Sequence, residues 1–421
     1  MRERKSENRL WIGTLFAAEE IPAAIVTYVA VLMFLQIDTS PSMATCYCGL
    51  LFLPWVLKSF LRSRVRSMGR FNHQLQWLEL AMVATMMALA FAFLRYTQQS
   101  LWLFTGLMML SFLSAWHELA ARMYYERKLR PHWQQVYNTP KIIASQSAVV
   151  LTYGMFIMFV GALQVIYRRI PRSWNEGCYM MAGVVLLFTI FHLFTLPRTN
   201  VADPRTRSGA IAAVRSEMQV IERIRQKPHW LRYIIGLTLL LLPQSLMFYS
   251  RVLFLYMPKT EGGLGCTIQE IGFAQGTVGV IAFSIGLLLG RQLLKWVDIK
   301  RVFWWLAIPL GLSPIVYLIM TFEPPTSLMM LSVATFQAQF LFGFGLNIVM
   351  FFVRYISGER YRNTINFLYI PLVATAMLPA MALSGWMVST LGFRTFFLID
   401  VLTAPLAWLY IYINKKTILN P

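Results

Sequence analysis

The stretch "RTNVADPRTRSGAIAAVRSEMQVIERIRQKPHW", residues 198–230, is a polar and basic interruption in a chain that is otherwise strongly apolar. Within it, apolar residues from Ile211 to Ile224 recur at helical spacing, which predicts an amphipathic helix near a membrane surface. The interruption divides the chain into two parts of similar length. What lies on either side of it decides the fold.

Composition places both parts in a lipid bilayer. Of the 421 residues 57% are hydrophobic and only 13% are charged, and the mean hydropathy is +0.56. A helix needs about 20 apolar residues to cross a hydrocarbon core about 30 Å thick, and stretches of that length recur throughout. The twelve predicted spans are approximately 10–36, 43–62, 75–96, 100–124, 140–166, 175–196, 229–255, 267–291, 302–321, 327–353, 364–387 and 393–413.

Six predicted spans precede the interruption and six follow it. We therefore expect an N-terminal six-helix bundle in residues 1–196, a cytoplasmic connector in 197–228 and a C-terminal six-helix bundle in 229–421. Two bundles joined by a basic connector match the plan of the major facilitator superfamily, whose substrate site lies between the halves near the midplane. The expected fold class is an all-α polytopic membrane protein of that fold with 12 transmembrane helices.

Lysine and arginine mark the orientation of the chain, because short basic loops stay on the cytoplasmic side. They concentrate at both termini and in the loops on one side, so both termini are predicted to be cytoplasmic. The basic start runs directly into a full-length span, which predicts no cleavable signal peptide. The formal net charge of +20 is dispersed over these loops and predicts contact with anionic lipids, with no nucleic-acid partner.

The sequence offers no pattern typical of an enzyme, a metal site or a cofactor site. No nucleotide-binding loop or hydrolase motif stands in a supporting context, so we expect no catalytic residues, no metal and no cofactor. Its four cysteines are too few for a disulfide framework and are predicted to be buried free thiols: Cys46, Cys48, Cys178 and Cys266.

Two adjacent carboxylates lie inside the first predicted span, in "FAAEEIPAAIVTYV", residues 16–29. Glu19 lies about 14 Å along the helix from Leu10, close to the middle of the bilayer. A carboxylate there is expected to be protonated, paired or turned toward a watery cavity. Because neighbouring residues diverge by about 100°, either Glu19 or Glu20 is expected to point elsewhere. Pro22 frees the carbonyl of Ala18 and loosens this turn.

Several amides reach a similar depth. In the facilitator plan the first, fourth, seventh and tenth spans line the central cavity, so we expect cargo to contact Glu19 or Glu20, Gln244 and Gln337. Amides provide donors and acceptors that suit a hydroxyl-rich or amide-rich solute. The alternative is that the glutamines bond neighbouring helices. The full set of candidate binding or coupling residues is Glu19, Glu20, Gln146, Gln244, Gln275, Gln337 and Gln339.

Other ionisable residues are assigned structural or gating roles. Lys58 and Glu118 fall toward the inner ends of the second and fourth spans, where a structural ion pair is favoured. Arg251 is expected to extend to the outer surface. Two histidines, His117 and His192, are expected to be helix residues with satisfied hydrogen bonds and not proton relays, and the sequence offers no explanation of Asp400.

Three stretches give a more specific resemblance: "FLPWVLKSF" (52–60), "AWHELAARMYY" (115–125) and the block 342–397. They resemble the AmpG-like muropeptide permeases of the major facilitator superfamily, particularly divergent Bacteroidetes relatives. The resemblance implies a proton-driven importer of peptidoglycan fragments in the bacterial inner membrane, with siderophore permeases as relatives. Glu19 matches the acidic residue of the family's first span.

This chain departs from the family pattern at three positions. Acidic residues of the family are replaced by Arg66 and Arg122, and a basic residue of the fifth span is replaced by Gln146. The chain is thus predicted to be a monomeric secondary transporter that uses alternating access, protons and a small polar solute such as a muropeptide or amino sugar. The alternatives are a siderophore permease and a scaffold or sensor that no longer transports.

Overall fold

The computed structural model describes residues 10–68, 70–93, 99–197, 224–352 and 362–418, with the isolated positions 219 and 222. Most of the amphipathic helix predicted in the connector, and the side chain of Arg66, lie outside these residues. Within the described ranges the chain is helical, without a β-strand.

Ten helices are long and apolar enough to cross a bilayer within the described ranges. They are Leu10–Leu35, Phe71–Ala92, Ser100–Lys128, Asn138–Tyr167, Ile170–Thr195, Trp230–Tyr256, Ile268–Trp296, Lys300–Phe322, Leu328–Phe352 and Ile370–Ile413.

Two further crossings account for the predicted twelve. The last of these helices is interrupted at Gly392, whose φ of 74° breaks helical geometry and separates an eleventh from a twelfth span. The second span consists of two shorter helices, Pro41–Leu50 and Leu53–Met68, which meet at a turn over residues 51–52. The all-α, twelve-span fold class is therefore confirmed for this multi-pass membrane protein, and the spans are numbered in chain order below.

The chain forms two compact units. The first comprises Met1–Ala30 and Phe60–Arg215, and the second comprises Val31–Ser59 and Ser216–Pro421. The C-terminal part of the first span and most of the second span are thus grouped with the C-terminal half. The predicted three-part division at 1–196, 197–228 and 229–421 stays a prediction.

In the first unit, the third span packs against the fourth and sixth spans. The first span packs against the fourth, fifth and sixth spans. Trp174, near the start of the sixth span, is stacked on Phe93 at 5.9 Å and edge-on to Phe156 at 6.0 Å. Asn175 donates to the carbonyl of Ala90 at 2.8 Å. These contacts fix the helices that carry the unit's ionisable side chains.

The second unit uses glycines to bring helices into backbone contact. A side chain at Gly286 would collide with the carbonyl of Phe340, and one at Gly343 with the carbonyl of Phe283. The eighth and tenth spans therefore cross at two glycines, as small residues allow in membrane helices. The eleventh span packs in the same way on the second, where Gly385 donates its N–H to the hydroxyl of Thr45 at 3.1 Å.

Three spans contain a wider, π-helical turn. These turns are Ile25–Val29 in the first span, Val150–Phe156 in the fifth and Gly272–Gly279 in the eighth. The first follows Pro22, which cannot donate a backbone hydrogen bond. Turns of this kind occur frequently at functional sites, and two of them belong to the helices that carry the charges described next.

Candidate functional site

Both glutamates of the first span enter one cluster of charged residues in the first unit. Glu19 is buried, at 5% exposure, and Glu20 is half-buried. Each carboxylate interacts electrostatically with Glu118 and Arg122 of the fourth span and with Lys141 of the fifth. The expectation that one glutamate points elsewhere is wrong, because both carboxylates interact with the same three residues.

Arg122 and Glu118 form the ion pair at the centre of this cluster. Arg122 Nη2 lies 2.8 Å from Glu118 Oε1, one helical turn apart, and the two side chains are 22% and 7% exposed. The arginine that stands at an acidic position of the resembling family is thus the cation that balances the neighbouring carboxylates. Lys58, predicted alongside Glu118, is fully buried in the second unit.

Lys141 supplies the second cation, which the sequence argument missed. Its Nζ lies 4.1 Å from the centre of the Phe16 ring and 5.4 Å from that of Tyr125. One turn further along the fifth span, Ser145 donates a hydrogen bond to Glu20. Gln146, predicted to replace the basic residue of this span, is half-buried beside Ser145. Lys141 is the second residue of the predicted fifth span, 140–166, and its place beside the two glutamates depends on helix packing, which the sequence does not show.

The balance of charge in this cluster determines its chemistry. Its residues Glu19, Glu20, Glu118, Arg122 and Lys141 contribute three carboxylates and two cations. With all five ionised, one negative charge remains, and one proton makes the cluster neutral. Because an uncompensated charge is costly inside a membrane protein, a buried cluster of this composition favours holding a proton, and a hydrated one can release it.

A second buried cluster in the same unit joins three spans. Glu79 Oε1 accepts hydrogen bonds from His192 Nδ1 at 2.7 Å and from His117 Nε2 at 3.3 Å, and all three side chains are fully buried. His117 and His192 were expected to be hydrogen-bonded helix residues, and each is hydrogen-bonded to the same carboxylate of the third span. Glu79 itself was missed, although it lies about 12 Å along the third span from Phe71 and so at a depth similar to that of Glu19.

The second histidine extends this cluster to the first span. His192 Nε2 lies 3.1 Å from the hydroxyl of Thr14. A neutral His192 with its proton on Nδ1 accepts a hydrogen bond from Thr14, whereas a protonated His192 donates one. This hydrogen bond joins the sixth span to the first.

Amides and hydroxyls form the polar centre of the second unit. Gln275 Nε2 donates to the Tyr317 hydroxyl at 2.7 Å and approaches Thr335 Oγ1 at 3.5 Å. Gln339 Nε2 donates to Gln275 Oε1 at 3.5 Å. The structure thus brings Gln275 and Gln339 together as a hydrogen-bonded network across the eighth, ninth and tenth spans.

The other predicted glutamines lie apart from this network. Gln244 is buried and donates to the carbonyl of Leu310 at 2.7 Å and to the Ser313 hydroxyl at 3.0 Å. These bonds agree with the alternative that the glutamines bond neighbouring helices. Contact between Gln244 and cargo stays a prediction. Gln337 is exposed, because it lies two residues before the buried Gln339 and so on another face of the tenth span.

Two ionisable groups are buried in the second unit without an ionic partner among the described residues. Arg251 is only 3% exposed, so the expectation that it extends to the outer surface is wrong. It lies seven residues, or two turns, after Gln244 and therefore on the same inward face of the seventh span. Asp400 is fully buried in the twelfth span, and neither carboxyl oxygen has a hydrogen-bond partner within the described part of the chain.

The four cysteines are free thiols, as predicted, and two of them are fully buried. Cys48 and Cys178 are buried, whereas Cys46 and Cys266 are half-buried. Within the described ranges no group of three or more histidine, cysteine or acidic side chains, the Glu79 cluster included, could hold a metal ion.

Comparison with known proteins relates the architecture to transporters. No protein-family model and no curated protein sequence matches the chain. A bacterial homologue of the human lysosomal transporter Spinster superposes with a TM-score of 0.72 at 14% identity, covering 100% of this chain and 99% of that one. The nucleoside transporter NupG gives 0.69 at 15% identity over 96% and 98% of the two chains. The xylose transporter XylE of E. coli gives 0.61 at 11% identity over 97% of each.

Likeness at this level of identity establishes architecture. Similarity extends over almost the whole length of this chain and of each solved structure. The protein therefore has the fold of the major facilitator superfamily transporters.

Proposed function

We propose that this chain is a secondary active transporter that moves a small polar solute by alternating access and couples the movement to protons. The observation that carries the proposal is the cluster around Glu19, in which three carboxylates and two cations meet within the spans of one unit. Ionisable groups inside a membrane are costly and mark ion or proton pathways. A helix bundle that served only as an anchor would gain nothing from them.

Glu19 is the residue we assign to proton binding. It is buried, and its Oε2 has no hydrogen-bond partner among the described residues, so it can accept a proton without breaking an existing bond there. Glu118 is engaged by Arg122, and Glu20 by Ser145. When the cluster is closed off from water it holds one proton on Glu19, and hydration on the other side releases it.

The cargo is assigned by resemblance to a muropeptide or amino-sugar fragment, imported across the bacterial inner membrane with both termini cytoplasmic. The polar network of Gln275, Tyr317 and Gln339 suits a solute with many hydroxyl and amide groups. A siderophore is the second candidate cargo within the same class of transporter. The Arg122–Glu118 pair supports transport over the scaffold alternative, because it retains charge balance where the family pattern is changed.

Uptake by the purified protein in liposomes tests this function. With the outside more acidic than the inside, accumulation of labelled N-acetylmuramic acid or N-acetylglucosamine above the external concentration is expected, and collapse of the pH gradient should reduce it to equilibration. A scaffold or sensor would give no more uptake than protein-free liposomes. A siderophore permease would accumulate ferric siderophore and neither sugar.

A further inference from the structure

The second unit contains a fixed positive charge that the proposed coupling site does not use. Arg251 is 97% buried, and its Nε and Nη1 have no hydrogen-bond partner among the described residues. The guanidinium packs against the Phe248 ring, whose centre lies 5.2 Å from the guanidinium carbon. A ring face compensates only a small part of the cost of burying a charge.

The neighbouring groups are polar and suited to an anion. The charge of Arg251 acts on the Tyr317 hydroxyl, which accepts the hydrogen bond from Gln275 Nε2. Gln339 continues this network from the tenth span. Arginine, hydroxyl and amide groups are the donors that bind carboxylates and phosphates in proteins, with the planar guanidinium forming two parallel hydrogen bonds.

Asp400 is the other buried ionisable group of this unit that lacks a described partner, and it does not neutralise Arg251. Both of its carboxyl oxygens, like the two arginine nitrogens, are without a hydrogen bond within the described residues. A buried carboxyl group can avoid its charge by taking up a proton, whereas a guanidinium in a protein stays charged. The described side chains of the second unit therefore provide no anion for Arg251, and the anion has to come from elsewhere.

We propose that Arg251, beside the Tyr317–Gln275 pair, is a binding site for an anionic group of the transported solute, either a carboxylate or a phosphate. This inference rests on the proposed function, because it names the chemical class of the cargo. It predicts that an acidic sugar binds and that the same sugar without its acidic group binds far more weakly.

Thermal unfolding of the purified full chain in detergent measures this directly, since a ligand of the folded state raises its unfolding midpoint. The probes are matched pairs: N-acetylmuramic acid with N-acetylglucosamine for the carboxylate, and glucosamine 6-phosphate with glucosamine for the phosphate. One acidic member should raise the midpoint of the wild-type chain, and its neutral or cationic partner should not. The pair that responds identifies the anion.

Variants connect the response to the guanidinium. Arg251→Gln should weaken binding of the acidic probe about 30-fold or more, as loss of a buried charge-assisted contact does. Arg251→Lys should retain part of the response, because lysine keeps the charge without the planar fork. Arg394→Gln is the matched control, since Arg394 is exposed and donates to the carbonyl of Thr321. The proposal is overturned if no acidic probe stabilises the wild type, if both members of a pair act equally, or if Arg251→Gln responds as the wild type does.

A ligand-free measurement excludes a purely structural role. Arg251→Met removes an uncompensated buried charge and should raise the unfolding midpoint in the absence of any anion. A structural arginine would give the opposite sign, and a fall in the midpoint would contradict the proposal. If anions stabilise the chain but liposomes show no proton-driven uptake, the anion site is supported and the proposed transport function is refuted. If the chain takes up neutral solutes and no anion stabilises it, the anion site is refuted and the transport function is supported.

Discussion

Two buried arginines show how differently the two units handle charge. Arg122 lies 2.8 Å from Glu118 in a cluster whose carboxylates and cations nearly balance. Arg251 is still more deeply buried, yet two of its nitrogens have no partner among the described residues. In the proposed mechanism, the first unit gains or loses a proton at small cost, whereas the second presents a fixed charge that attracts an anion. We infer that coupling and recognition are divided between the units.

The largest effect is expected when the balanced arginine is removed. Arg122→Met leaves three carboxylates against Lys141 alone, and breaking a buried ion pair in this way costs about 3–5 kcal/mol of stability. The midpoint of thermal unfolding in detergent measures the loss. The double variant Glu118→Gln/Arg122→Met should recover part of it, because the charge balance is restored. Equal stability of the single and double variants would show that the pair is not coupled to the cluster.

The second largest effect is expected at Glu79, the other carboxylate centre of the first unit. Glu79→Gln replaces two charge-assisted hydrogen bonds from His117 and His192 with weaker ones and should cost about 2 kcal/mol. Glu176→Gln is a matched control, since Glu176 lies at the end of its span in a partly exposed pair with Arg172. Unfolding midpoints that fall equally in the two variants would contradict a structural role for the buried cluster.

Much of this architecture follows from the sequence, for a physical reason. The bilayer requires about 20 apolar residues per crossing, so spans are visible without tertiary information. The first span was predicted at 10–36 and is found at Leu10–Leu35. The second span was harder, because its two helices are interrupted at residues 51–52 and neither is long enough to span the membrane alone.

The partners of the buried charges could not be predicted from the sequence in the same way. Depth along a helix follows from counting residues, and this located Glu19 correctly as a buried carboxylate. Which face meets which neighbour depends on helix packing, so Lys141 and the bonds of Glu79 to two histidines were missed. Arg251 was misplaced because its distance from the helix end was considered and the face it shares with Gln244 was not.

A smaller loss of stability is expected when a hydrogen-bonded glutamine of the second unit is replaced, and almost none when the exposed glutamine is replaced. Gln275→Leu removes one hydrogen-bond partner of the Tyr317 hydroxyl and the Gln275 partner of the Gln339 amide, and should cost about 1–2 kcal/mol of stability. Gln337→Leu should change stability by less than about 0.5 kcal/mol, since the side chain is exposed. Unfolding midpoints of the two variants provide the test. Similar losses in both would show that the network of Gln275 does not stabilise the second unit.

The smallest effect is expected in the loop between the seventh and eighth spans, which follows the end of the seventh span that carries Arg251. Burial, and then the charge of Glu270, raise the pKa of the Cys266 thiol to about 11. The thiol form therefore dominates at neutral pH, and maleimide labelling should accelerate about tenfold per pH unit up to that value. Glu270→Gln should speed labelling a few-fold at constant pH, because it removes the nearby negative charge.

The labelling is measured in a chain whose other three cysteines are serine, with a membrane-impermeant maleimide. Labelling from outside intact cells is expected, because the loop between the seventh and eighth spans is predicted to be external. This would place Arg251 nearer to the outer surface. Labelling only after the membrane is opened would reverse the predicted orientation.

In the proposed mechanism, the cluster around Glu19 couples a proton to the movement of solute. The most direct measurement compares Glu19→Gln with Glu176→Gln in liposomes, for accumulation driven by a pH gradient and for exchange of labelled against unlabelled solute. We predict that Glu19→Gln abolishes accumulation and retains exchange, because glutamine mimics the protonated acid, while Glu176→Gln performs both as the wild type does. Accumulation by Glu19→Gln at the wild-type level would contradict the account.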